Sequence, residues 1–255
     1  GMDHLEGFLT PEGARKANKE IYDWAKSNKA TAFVNKNLND LVEDSSGNLV
    51  ELYPSESFKT KKNKILEIIY DEKSLVTNLV GDYNFQNIYL AMSVGKYFKI
   101  DTVTALEAVC KYQPSSKRSQ LLTQNGTDFI VDCYNANPSS MQLSLESFIK
   151  TSPHPRGVIL GDMLELGSYS DVEHKKVMDY VLKQELDLII FIGKDFKKAL
   201  DSTTVEKRQM THFFQDSLLA QKWFAEENKN KTFDGFTILL KGSRGIKVEK
   251  ILEST

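Results

Sequence analysis

Apolar residues first recur at helical spacing over Pro11 to Lys26. There Ala14, Ala17, Ile21 and Ala25 fall on one face, behind a Thr10 cap, with Pro11 at the first helical position and Glu12 in the first turn. Thr31 to Asn35 reads as a short strand, Asn37 to Asp44 as a short helix or turn, and Ser45-Ser46-Gly47-Asn48 as a turn. The pattern then becomes β-like: Leu49 to Tyr53, Ile65 to Tyr70 and Ser74 to Val80 read as strands, and the polar, lysine-rich Ser55 to Lys64 as a solvated connecting loop. Helical spacing returns through Ile88, Ala91, Met92, Gly95 and Tyr97 over Asn84 to Phe98. It continues through Val103, Leu106, Val109 and Cys110 over Thr102 to Tyr112.

The polar stretch Gln113-Pro114-Ser115-Ser116 ends this half, and a domain boundary is expected near residue 114, dividing the chain into 1–113 and 114–255. Beyond it, apolar runs alternate regularly with amphipathic ones. Strands are predicted at Thr127 to Cys133, Gly157 to Gly161, Leu188 to Gly193, His212 to Phe214 and Phe236 to Lys241. Helices are predicted near Ser139 to Lys150, Asp171 to Gln184, Ser217 to Asn228 and Lys247 to Leu252. Nearly continuous apolar strands separated by helices predict an α/β fold of Rossmann-like type, a mostly parallel sheet with helices on both faces. No internal repeat is visible.

Composition narrows the function classes. The 255 residues are 40% hydrophobic and 27% charged with a net charge of -2, so nothing in the bulk electrostatics favours nucleic acid. Cys110 and Cys133 have no metal-ligand spacing and suit a reducing, cytoplasmic address. No apolar run reaches the length of a membrane span.

The chemistry concentrates at three predicted strand ends: Asp132-Cys133-Tyr134-Asn135-Ala136-Asn137-Pro138, Gly161-Asp162-Met163-Leu164-Glu165-Leu166-Gly167 and Lys241-Gly242-Ser243-Arg244. The carboxyl ends of parallel strands are where such sheets meet ligands. Asn135 and Asn137 suit ligand amide bonds and suit turn chemistry equally, with Pro138 placed to open the next helix. Gly161 and Gly242 permit close backbone approach and could leave amides facing an anion. Arg118 is either a phosphate-seeking guanidinium or a surface arginine. His154, His174 and His212 offer no ligand set, no Gly-x-Ser-x-Gly nucleophile turn occurs, and the turn after residues 127–133 lacks the Gly-x-Gly of a dinucleotide site.

Together these three stretches, with His4-Leu5-Glu6-Gly7-Phe8, Lys16 to Ile21 and Gly81 to Asn87, resemble the Mur ligase family. The branch is the one that joins D-alanyl-D-alanine to UDP-N-acetylmuramoyl-tripeptide in peptidoglycan synthesis. The resemblance runs over nearly the whole chain with its motifs in order. It implies that 1–113 is a partial α/β central ATPase domain and 114–255 the C-terminal Rossmann-like domain. It also implies ATP-dependent amide-bond formation through an acyl phosphate, with ATP and magnesium as cofactors. By the same resemblance His4 matches a metal-site histidine, and Asn84 and Asn87 lie near the nucleotide base. Arg118 reaches the ATP phosphates, Asp132, Asn135 and Asn137 face nucleotide and substrate, and Asp162, Leu164, Lys241, Ser243 and Arg244 border the incoming dipeptide.

The sequence also departs from that family. It contains no Gly-x-x-x-x-Gly-Lys-Ser/Thr loop, and the resemblance therefore implies the last part of a three-domain ligase, expected to be inactive alone. The family's carbamoylated lysine aligns with Asn18, or with Lys19 after a one-residue shift; Leu9 and Tyr83 replace a usual glycine and histidine. The alternative is a non-catalytic remnant acting as a binding or interaction module. Self-association through an incomplete N-terminal half is expected in either case.

Overall fold

The computed structural model describes residues 5–54, 58–61, 65–114, 117–202 and 211–254. Contacts divide the chain into two units, one of residues 8–113 and one of residues 114–254 together with 5–7.

The short α1 (Leu5–Phe8) leads to α2 (Pro11–Ser27) of the first unit, whose cap follows the sequence signal: Thr10 Oγ1 accepts the Gly13 N–H at 3.0 Å and Pro11 opens the helix. Only the small residues of the expected apolar face, Ala14 and Ala25, are buried, whereas Ile21 stays 66% exposed. Within its own unit α2 packs on a sheet of just two strands, β1 (Thr31–Asn35) and β2 (Leu49–Tyr53), parallel in register and joined through α3 (Asn39–Asp44).

A separate antiparallel sheet has the order β3 (Lys59–Lys61), β4 (Ile65–Tyr70), β5 (Lys73–Val80). The expected loop over Ser55 to Lys64 thus contains a strand, while 55–57 and 62–64 lie outside the described residues. Lys59 and Lys61 face solvent and Thr60 is half-buried, an alternation of three residues that is too short to register as a pattern. Helices α4 (Asn84–Tyr97) and α5 (Thr102–Lys111) close the unit over a core of Leu66, Ile68, Phe85, Ile88, Met92 and Leu106.

The second unit contains β6 (Gln120–Gln124), β7 (Thr127–Asp132), α6 (Pro138–Thr151), β8 (Arg156–Gly161), α7 (Ser170–Val181), β9 (Leu188–Ile192), α8 (Lys194–Asp201), β10 (Thr211–Phe214), α9 (Ser217–Asn228) and β11 (Thr237–Lys241). A 3-10 turn spans Gly167–Tyr169, and the expected last helix is a 3-10 helix, Val248–Ser254. The strands form one sheet in the order β10-β9-β8-β11-β7-β6, all parallel except β6, which runs antiparallel to β7. This is the mostly parallel, Rossmann-like sheet that the alternation predicts.

Side chains alternate across the sheet. Phe129, Val131, Ile159, Ile190, Ile238 and Leu240 meet Ala220 and Phe224 of α9 and Val248 and Ile251 of the 3-10 helix. Phe191 points to the other face and meets Phe196 of α8 at 4.8 Å between ring centroids. Both faces are covered, which is why the central strands carry no polar alternation. In this unit strand β6 and helix α8 go beyond the sequence expectation, as β3 does in the first. Among the described residues no helix is long and apolar enough to cross a membrane.

Candidate functional site

Strand β11 lies between β7 and β8, with Lys241 opposite Asp132 on one side and Leu160 on the other. The three strand-end loops singled out in the sequence therefore emerge side by side. Two glycines make the junction possible. A Cβ on Gly242 would lie 3.0 Å from Gly161 Cα and 2.7 Å from Val248, and one on Gly161 would lie 2.5 Å from Val248. The close approach anticipated for these glycines is thus made to each other and to the protein interior.

Ser243 ties the loops together. Its Oγ accepts the Leu164 N–H at 2.8 Å and lies 3.3 Å from Ala136 O, to which it donates, while its own N–H goes to Asp162 O at 3.1 Å. Met163 N–H donates to His174 Nε2 at 2.9 Å, and Asp162 N–H to Ile192 O at 3.0 Å. These amides are consumed within the protein and do not face an anion, contrary to the sequence expectation.

His174 is fully buried, and the bond that Nε2 accepts leaves Nδ1 as the protonated nitrogen, donating to Ser170 O at 2.8 Å. It anchors the 161–167 loop, a role its sequence spacing did not reveal. Residues 5–7 lie on the same loop: Glu6 N–H donates to Glu165 O at 2.9 Å. His4, the metal-site candidate, lies outside the described residues, and among the described residues no three His, Cys, Asp or Glu side chains are grouped to hold a metal.

The remaining candidates divide by what their side chains touch. Lys241, 2% exposed, places Nζ 2.5 Å from Asp132 Oδ2. Asp162 is buried and accepts the N–H groups of Asp195 and Phe196, both at 2.9 Å, which makes it the acceptor for the uncapped start of α8. Burial raises its pKa above the usual carboxylate value, against those two hydrogen bonds, which act to lower it. Asn137 is the N-cap of α6: Oδ1 accepts the Ser140 N–H at 2.7 Å, and Ser140 Oγ accepts the Asn137 N–H in return. Asn135 is exposed and its Oδ1 accepts the Ala136 N–H. Arg118 and Arg244 are both exposed beside Tyr134, with guanidinium carbons 3.5 and 5.7 Å from the ring centroid.

In the first unit, Asn84 is buried at the start of α4, where its amide donates to Val80 O at 2.7 Å, and Asn87 donates to Asn84 Oδ1 at 2.9 Å. Asn18 and Lys19 both line an open cleft of about 560 Å³ between α2 and α3, and Lys19 Nζ lies 3.6 Å from Asp44, which also holds Arg15.

Cys133 sits within the first loop yet is no nucleophile. It is 2% exposed, its Sγ donates to Leu240 O at 3.4 Å, and burial pushes its thiol far up. Iodoacetamide is expected to label the half-buried Cys110 of the native protein and to spare Cys133 until the second unit unfolds. Equal labelling rates by mass spectrometry would contradict this packing.

Convergent loops at the carboxyl edge of a mostly parallel sheet define a Rossmann-like α/β domain. A family model described as Mur ligase, glutamate ligase domain, matches residues 117–244, half of the chain. Two curated relatives are UDP-N-acetylmuramoyl-tripeptide--D-alanyl-D-alanine ligases. That of Bacillus subtilis is 24% identical over 266 residues, covering 99% of this chain and 57% of the relative. That of Escherichia coli is 27% identical over 273 residues, covering 98% and 57%.

Among solved structures, MurF from Acinetobacter baumannii superposes with a TM-score of 0.78 at 21% identity, over 99% of this chain and 57% of that one. MurF ligase from Thermotoga maritima in complex with ADP gives 0.77 at 20%, over 100% and 59%. The chain belongs to the Mur ligase family. It spans a little over half the length of the curated relatives that it matches.

Proposed function

We propose that this chain is part of an ATP-dependent amide ligase that adds D-alanyl-D-alanine to UDP-N-acetylmuramoyl-tripeptide. The observation that carries the reading is the Ser243 junction, which fastens the three motif loops into one rigid edge at the ends of β7, β8 and β11. In such a reaction the dipeptide amine attacks an acyl phosphate. The C–N bond forms as the acyl–oxygen bond breaks, phosphate departs with the electron pair, and the amine gives up a proton. Positioning and charge stabilisation dominate catalysis of this kind.

Arg118 and Arg244 are the exposed cations suited to an oxyanion. Leu164 and Asn135 present surface to a ligand, and Asn84 and Asn87 are assigned to the nucleotide side through the resemblance alone. Asp132, Lys241, Asp162 and Asn137 act by holding the loops, since their polar atoms are engaged with one another or with helix starts. ATP would supply the phosphoryl group. Magnesium is assigned through the resemblance alone, and His4, the residue that it would give to the metal, lies outside the described residues. The 255 residues contain no phosphate-cradling Gly-Lys-Ser/Thr loop, so they are expected not to turn over unaided.

Amide chemical shifts report the dipeptide assignment directly. Adding D-alanyl-D-alanine is expected to move the Leu164 and Ser243 signals, and L-alanyl-L-alanine to leave them in place. Silence toward both would favour a non-catalytic module. Phosphate release from the full substrate mixture would defeat the expectation of inactivity.

A further inference from the structure

We propose that Tyr134 is a positioning residue whose ring face gathers Arg118 and Arg244 into a single subsite for an oxyanion, phosphate or carboxylate. The proposal rests on reading this loop edge as the ligand-facing one. The two arginines are 126 positions apart in sequence, yet both guanidinium carbons lie within cation–π reach of one ring, Arg118 at 3.5 Å and Arg244 at 5.7 Å. Among the described residues no carboxylate pairs with either guanidinium, whereas neighbouring Lys117 is already bound to Glu249 at 2.7 Å. Two exposed positive charges that share one ring repel each other, and the aromatic ring offsets part of that repulsion while leaving N–H edges available to an anion.

The backbone around Arg118 is built to keep it there. Lys117 O accepts the N–H of Cys133, the residue before Tyr134, at 2.9 Å, and Lys117 N–H donates to Gln120 Oε1 at 3.2 Å. Lys117 and Ser119 both adopt positive φ, 60° and 50°, a conformation that non-glycine residues keep only where their surroundings impose it. Arg244 follows directly on Ser243, the residue that ties the loops together. An isolated surface arginine needs no such support. Pre-organisation of this kind lowers the ordering cost of binding a small anion.

The test compares the full chain with Tyr134→Phe, Tyr134→Leu and Arg118→Lys by calorimetric titration with inorganic pyrophosphate. In parallel, D-alanyl-D-alanine is compared with its C-terminal amide, to separate phosphate from carboxylate as the favoured anion. Wild type and Tyr134→Phe are expected to bind pyrophosphate equally. Tyr134→Leu is expected to bind about two- to fivefold more weakly, the range of an exposed cation–π contact. Arg118→Lys, which keeps the charge and loses the planar stack, is expected to weaken similarly.

The Arg118 side-chain protons should also show ring-current shifts in wild type and Tyr134→Phe that vanish in Tyr134→Leu. Undetectable pyrophosphate binding by wild type would overturn the proposal, as would equal affinity across the set. Because the pyrophosphate arm does not involve the dipeptide, failure of D-alanyl-D-alanine recognition alone would count against the ligase reading and leave this subsite intact.

Discussion

Lys241→Ala is expected to destabilise the second unit by about 3–5 kcal/mol, the cost typical of removing one partner from a buried ion pair. Lys241 is 2% exposed and its Nζ is 2.5 Å from Asp132 Oδ2, whose side chain is itself 13% exposed. Because β11 and β7 are register neighbours at these two residues, the pair joins the ends of adjacent strands. Truncating the lysine leaves a largely desolvated carboxylate at the sheet edge. The double variant Asp132→Leu/Lys241→Met removes both charges at similar volume and is expected to regain most of the loss. Urea unfolding of the full chain, followed by Trp223 fluorescence in a Trp24→Phe background, reads this unit. A loss below about 1 kcal/mol for the single variant would mean that the pair is solvated.

Asp162→Ala is expected to cost about 2–4 kcal/mol, because two N–H groups at the start of α8 lose their acceptor and a buried side chain is truncated. The damage should spread to Phe196, which meets both Phe191 and His174 at 4.8 Å. Gly193, the N-cap residue of α8, has no side chain to take over as acceptor.

The pH dependence has a definite sign. A folded pKa raised by burial means that the folded state holds this proton more tightly than the unfolded chain. The associated stability is full below the unfolded value of about 4 and is lost as pH rises through the folded value. Relative to the non-titrating Asp162→Asn variant, the wild type should therefore lose ground as pH rises from about 4. A gap that instead widens with pH would show the hydrogen bonds outweighing burial.

The sheet is legible in the sequence because fully buried parallel strands such as Leu188–Ile192 and Thr237–Lys241 are nearly pure apolar runs bounded by turns. The Asn137-Pro138 helix start is legible for a local reason, since a cap and its first turn are sequence neighbours. Strand β6 escapes the apolar pattern although Asn125-Gly126 signals a two-residue hairpin: Asn125 and Gly126 have φ of 48° and 78°, and Gln124 pairs with Thr127. Helix α8 escapes because its first N–H groups are satisfied by Asp162, 33 residues upstream of Asp195, where no local pattern looks.

The same non-locality hides the site's supports. Asp162 and Lys241 stand out in their motifs, but only the fold shows their polar atoms turned inward. Tyr134 lies inside the richest motif, yet nothing local marks its role, because its partners come from residues 118 and 244.

The strand at the middle of the six-stranded sheet is the last one made. During synthesis β7 and β8 leave the ribosome more than 70 residues before β11, the strand that lies between them and bonds to both. Until Lys241 has emerged, their facing edges have no native neighbour, so final assembly of the sheet waits for translation to pass this point.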